Sequence, residues 1–127
     1  MMETAEEFIK RKEEEFKREK SKELKFKDIS RKGKHYFIRE AWVFMKQFNL
    51  SEKVFIFERL RRVRVEGYIT HTKNRDLGDI EYRFGYYIIG KIGNRAGKWT
   101  WGQYCPLIPI QDFEKLISLA KQKGVII

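Results

Sequence analysis

From residue 3 to about residue 27 the chain sets Glu and Lys around a sparse series of apolar positions, Ala5, Phe8, Ile9, Phe16 and Leu24, which fall near one line at helical spacing. No Pro or Gly interrupts the run. The pattern predicts a charged N-terminal helix with a thin apolar stripe. Glu6 with Lys10, Glu7 with Arg11, Glu13 with Lys17, Glu14 with Arg18 and Glu23 with Lys27 stand four apart in the favourable order, each pair adding about 0.2–0.5 kcal/mol. The stripe is too narrow for a sustained heptad, so residues 1–28 read as an accessory helix packed lightly on the body of the protein.

After a connection at 28–34, Phe37, Ile38, Ala41, Trp42, Met45 and Phe48 recur at intervals of three and four. This spacing predicts a second, more deeply buried helix over 34–48, with Asn49 at its stop. Val54 to Phe57 is a continuous apolar run that reads as a buried strand, helical continuation through Leu60 being the other reading. From Arg62 to Thr72 the alternation of Val63, Val65, Gly67 and Ile69 with Arg62, Arg64, Glu66 and Tyr68 has the period of a strand.

A loop at 73–78 precedes a long strand, Ile80 to Ile92, and the glycines at 93 and 97 bracket a hairpin connection to a further strand at 98–104. Pro106 and Pro109 close the sheet region. Phe113, Leu116, Ile117 and Ala120 then define a last helix, with Asp112 and Glu114 in its first turn, Lys121 and Lys123 in its last, and Gly124 at its stop. The elements predict an α+β fold: an antiparallel β-meander of three to five strands packed against helices, with a charged N-terminal helix. Residues 29–127 form a single compact α+β domain in this reading, whose core face carries Val63, Val65, Ile69, Tyr82, Phe84, Tyr86 and Ile88.

A chain of 127 residues, 42% apolar and 15% aromatic, has the bulk for one real core, which excludes wholesale disorder. Cys105 is alone and closes no disulfide within the chain. The charged start lacks the apolar run of a signal peptide and nowhere do eighteen apolar residues stand together, so the expected location is cytoplasmic, with no membrane span.

Net charge is +10, and its placement matters more than its size. Residues 1–28 hold nine Lys/Arg and nine Asp/Glu, whereas residues 29–127 hold nineteen and nine, so the whole excess sits in the body. A basic body points to a polyanionic partner, nucleic acid first.

Motifs for catalysis are weak. The stretch from Gly93 to Trp99 resembles a P-loop, but its glycines are one residue too close and Trp99 replaces the Ser or Thr that would bind Mg²⁺. Gly85 to Gly90 carries the letters of a GIY-YIG nuclease fused within one strand, where that family separates them. Glu66, Asp79 and Glu81 are the candidate ligands if the protein were a Mg²⁺-dependent nuclease, yet Glu81-Tyr82-Arg83 offers Arg where a water-orienting Lys is needed. His35, His71 and Cys105 have no zinc spacing. No cofactor is expected.

What remains is a pattern of cations and aromatics on the expected sheet and its loops. Arg59, Arg61, Arg62, Arg64, Lys73, Arg75, Lys91, Arg95 and Lys98 are candidate phosphate contacts, and Tyr87, Trp99 and Trp101 are candidate stacking platforms. The expectation is a non-catalytic module that binds RNA or single-stranded DNA. A protein-binding inhibitor or regulator, with the aromatics serving as core, is the alternative from another class.

Overall fold

The computed structural model describes residues 2–67, 69 and 76–127. Its first element, α1 (Ala5–Arg18), starts at a capping box. The Thr4 hydroxyl accepts from the Glu7 N–H at 3.1 Å, and the Glu7 carboxylate accepts from the Thr4 N–H at 2.9 Å. Five strands follow, β1 (Glu23–Lys27), β2 (Lys34–Gln47), β3 (Leu50–Glu66), β4 (Ile80–Ile89) and β5 (Trp99–Trp101), and the chain closes with α2 (Ile110–Gln122). The strands pair antiparallel in sequence order, so the predicted α+β meander is the fold observed. Among the described residues no helix is long and apolar enough to cross a membrane.

The sheet has a helix on each face. On one, Ala5, Phe8 and Phe16 of α1 pack on Phe44, Val54 and Ile56, with Trp42, Tyr87 and Trp99 around them. On the other, Leu116 and Ala120 of α2, with Val125 beyond it, pack on Val43, Phe55 and Tyr86. Beyond α2, Gly124 takes a positive φ of 73° and lets Val125 N–H return to the Ala120 carbonyl at 2.8 Å.

Three expectations are corrected here. Residues 34–48 are not a helix: β2 is covered by α1 through Trp42 and Phe44 and by α2 through Ala41, Val43 and Met45, so both its faces are apolar and the strand period is lost. The N-terminal helix ends at Arg18 rather than near Lys27, because Leu24 and Phe26 alternate with Glu23, Lys25 and Lys27 in a strand paired with β2. The expected ladder of Glu–Lys pairs along that helix does not form; Arg11 pairs with Glu3 instead, and Glu6 reaches Lys46 of β2.

The helix is also no light accessory on its packed side, since Phe8 and Phe16 are buried. The expected core face is borne out at Phe84, Tyr86 and Ile88, whereas Val65 and Tyr82 are exposed and Arg62 is buried. The strand expected to run from Arg62 to Thr72 is the second half of β3 as far as Glu66, and residues 68 and 70–72 lie outside the described residues.

Candidate functional site

Two β-bulges decide which side chains face the concave side of the sheet, the side that holds α1. Arg39 opposes Leu60 and Ala41 opposes Arg59, which leaves Glu40 as an extra residue of β2. Tyr36 opposes Arg64 and Phe37 opposes Arg62, which leaves Val63 as an extra residue of β3. Each bulge exchanges the two faces beyond it. Glu40 turns to the far face and accepts from Arg59 Nε at 3.0 Å and Arg61 Nε at 2.5 Å, while His35, Phe37 and Arg39 join Trp42 and Phe44 on the concave face.

The concave face therefore carries buried charge. Glu58 has no exposed surface, and its Oε1 accepts from Arg39 Nε at 2.6 Å while its Oε2 accepts from Arg83 Nε at 2.5 Å. Arg39 lies over the Phe16 ring at 3.6 Å, so α1 seals this side of the pair. Arg62 is 1% exposed and donates to His35 Nδ1 and, at 2.5 Å, to Glu81 Oε2. Arg has no acceptor, so His35 Nδ1 must accept here, which leaves its Nε2 as the donor to Asp28 Oδ1 at 2.7 Å. Arg62 Nε has no hydrogen-bond partner among the described residues.

Helix α1 covers only part of this face. Past its end, the sheet curls until Arg83 of β4 stands 5.2 Å from the Phe26 ring of β1 and 5.0 Å from the Trp101 ring of β5. An open cleft of about 380 Å³ lies there, walled by Phe26, Ile29, Phe37, Leu60 and Tyr82 and carrying Lys27, His35, Glu81 and Arg83. Its volume falls in the lower part of the range for small-molecule sites, and apolar walls with a few converging polar groups are the usual make-up of such a site. Lys27 forms part of its lip, and Arg31 and Lys32 follow in the turn after β1; all three are exposed and hold no ion pair with the described residues.

The residues expected to bind phosphate are scattered and mostly engaged. Arg59 donates to the Gly124 and Val125 carbonyls at the end of α2 as well as to Glu40. Arg61 is held by Glu40 and the Gly78 carbonyl. Arg62 is buried, Arg64 pairs with Glu23 and Glu66, and Lys91 pairs with Glu52. Arg95 and Lys98, in the β4–β5 connection, are exposed and make no ion pair with the described residues. Lys73 and Arg75 lie outside the described residues.

Of the expected stacking residues, Trp99 stacks on Phe8 at 4.7 Å and donates from Nε1 to the Glu3 carbonyl. Tyr87 lies under α1 beside Phe8, where burial, and next the charge of Glu58, push its phenol up to about 12. Both are core. Trp101 alone keeps substantial exposure, 38%, over the bare Cα of Gly85.

The acids proposed for a metal do not converge. Glu66 pairs with Lys34 and Arg64, Glu81 with Arg62, and Asp79 accepts from the Asp76 N–H. Among the described residues no three His, Cys, Asp or Glu side chains gather as a metal site would require. Cys105 is exposed, and His35 is engaged elsewhere.

Two signals for this cleft were present in the sequence. Leu24 and Phe26 alternate with charges at strand period, and Glu58 interrupts an otherwise apolar run. No known protein family matches the chain, and no curated protein or solved structure shows significant similarity to it.

Proposed function

We propose that the protein is a non-catalytic module that binds single-stranded nucleic acid, with the open half of the concave face as its contact surface. The observation that carries this reading is the row Phe26–Arg83–Trp101 beside Lys27 at the lip and Arg31 and Lys32 in the turn after it, three exposed cations without carboxylate partners among the described residues. Flat rings accept unpaired bases at little cost to sequence tolerance, and exposed Lys and Arg neutralise phosphates with release of condensed counterions. A duplex cannot offer its base faces to such a groove, so RNA or single-stranded DNA is the partner.

The test is titration of a labelled mixed-sequence oligonucleotide at several salt concentrations. Affinity falls steeply with salt, with a slope of about −0.7 in log K against log salt for each neutralised phosphate of a single strand. Trp101→Ala weakens binding and leaves the slope unchanged. Absence of binding near physiological salt overturns the reading.

A protein partner is the second reading. It is favoured by Tyr104, Leu107, Ile110 and Phe113, large apolar side chains that stand exposed in and after the β5–α2 connection. Recovery of a stoichiometric partner whose binding is lost on Leu107→Asp supports it.

A further inference from the structure

We infer that the cleft takes up one unpaired nucleobase and that Glu81 selects bases carrying an exocyclic amino group. This rests on the strand-binding reading and adds which part of the strand enters and what is read there. The walls suit a flat guest: Phe26 and Phe37 meet edge to face with their centroids 5.5 Å apart, and Leu60 and Ile29 extend the apolar lining. The open space of about 380 Å³ is large enough to admit a base.

The polar groups then fix what the edge of that guest must offer. Glu81 uses Oε2 for Arg62, and its Oε1 makes no hydrogen bond to the described residues, with the side chain half exposed. A carboxylate accepts only, so it calls for an N–H on the ligand. Arg83 binds Glu58 through Nε and Nη2, which leaves Nη1 to donate. Acceptor and donor together match a Watson–Crick edge that carries an amino group close to a ring nitrogen or carbonyl, as in cytosine, adenine and guanine. In uracil and thymine the N–H on this edge, at N3, stands between two carbonyls, which face the Glu81 carboxylate unfavourably when it accepts from that N–H, whereas an exocyclic amino group has a carbonyl on neither of its two N–H bonds. The same carboxylate keeps the phosphates out of the cleft and on the cationic lip.

The experiment measures binding of the full chain to fluorescein-labelled octamers of dC, dA and dT at one salt concentration, and to CMP by chemical-shift change. The dC and dA octamers bind about tenfold tighter than dT. Glu81→Gln, whose carbonyl still accepts from Arg62, brings that ratio close to one. Phe26→Ala removes a wall at a half-exposed position and weakens dC binding about tenfold, which tests entry to the cleft even where the Glu81 variant fails to fold. Octamers that bind with equal affinity, or a preference that survives Glu81→Gln, overturn this inference while strand binding stands. Shifts on CMP addition without octamer binding support the base site and overturn the strand reading. Binding of neither overturns both.

Discussion

Glu58 and Arg83 sit opposite each other on β3 and β4, and the carboxylate oxygen Oε2 of the first lies 2.5 Å from Nε of the second, with Glu58 wholly buried. The same carboxylate also holds Arg39, so one negative charge anchors two guanidinium groups from its two neighbouring strands. Removing it leaves both cations without their acceptor, Arg39 under α1 and shielded from water, Arg83 at the edge of the open cleft. Glu58→Ala should therefore destabilise by about 3 kcal/mol or more, the range for breaking a buried pair. Glu58→Gln keeps an acceptor and should cost less. Urea unfolding of the two variants checks the order, and equal small losses would show that Arg39 and Arg83 find water without difficulty.

The N-terminal helix should prove necessary to the fold. Phe8 has no exposed surface and contacts Phe44, Tyr87 and Trp99, while Phe16 packs on Trp42 and Phe44. Phe8→Ala should cost about 3–5 kcal/mol, and a chain lacking residues 1–21 should lose cooperative thermal unfolding. Retention of a sharp transition in that truncated chain would return the helix to the accessory role its charge pattern suggests.

What the sequence made legible follows from which elements have one buried face. Helix α2 has a single apolar side and clear end signals, so Leu116, Ala120 and Gly124 were readable as packing and stop positions. Strand β4 was readable from its alternating residues. In β2 the alternation disappears because Trp42 and Phe44 meet one helix while Val43 and Met45 meet the other, and an apolar stretch interrupted by Arg39 and Glu40 mimics helical spacing. The candidate site was less legible. Whether an arginine is free or engaged depends on pairings such as Glu40 with Arg59, nineteen positions apart, and on bulges that reverse the faces of a strand.

A tightly fitted pair joins β4 to β5. A Cβ on Gly85 would stand 2.4 Å from the Trp101 indole, and one on Gly102 would stand 2.2 Å from the Tyr86 ring. Gly85→Ala should push the indole off its seat beside Arg83 and Tyr87 and destabilise by about 1–3 kcal/mol. A red shift of tryptophan emission should accompany the loss. Unchanged emission and stability would mean that the indole has room to move.

Stability should fall at high pH through Tyr87. Burial holds its folded phenol at about 12, above the value of about 10 for an exposed tyrosine. The raised value means that the stabilisation is complete below pH 10 and is lost as pH rises towards 12, because the unfolded chain releases this proton first. Glu40 works in the opposite direction: hydrogen bonding to Arg61, and then to Arg59, lowers its pKa, so its contribution is present above about pH 4.5 and fades in acid. Denaturation midpoints from pH 8 to 11 should decline less steeply for Tyr87→Phe than for the natural chain. Parallel profiles would remove Tyr87 as the cause.

The arginines and the lip cations should separate cleanly when stability and binding are measured on the same variants. Arg59 ties the end of α2 to β3 through two carbonyls and shares Glu40 with Arg61, so its charge is spent inside the fold. Arg59→Ala should lower stability by about 1–3 kcal/mol, the range for hydrogen bonds to a charged group, and leave oligonucleotide affinity and its salt dependence unchanged. Lys27 and Lys32 are exposed and free of ion pairs with the described residues, so the double change Lys27→Ala with Lys32→Ala should move stability by no more than about 0.5 kcal/mol. If each lysine neutralises one phosphate, that double variant also flattens the slope of log K against log salt by about 1.4, twice the single-strand increment of 0.7. The opposite outcome, a slope that responds to Arg59 and ignores the lysines, would move the interface from the cleft to the far face of the sheet, where Glu40 would have to release its arginines to the strand.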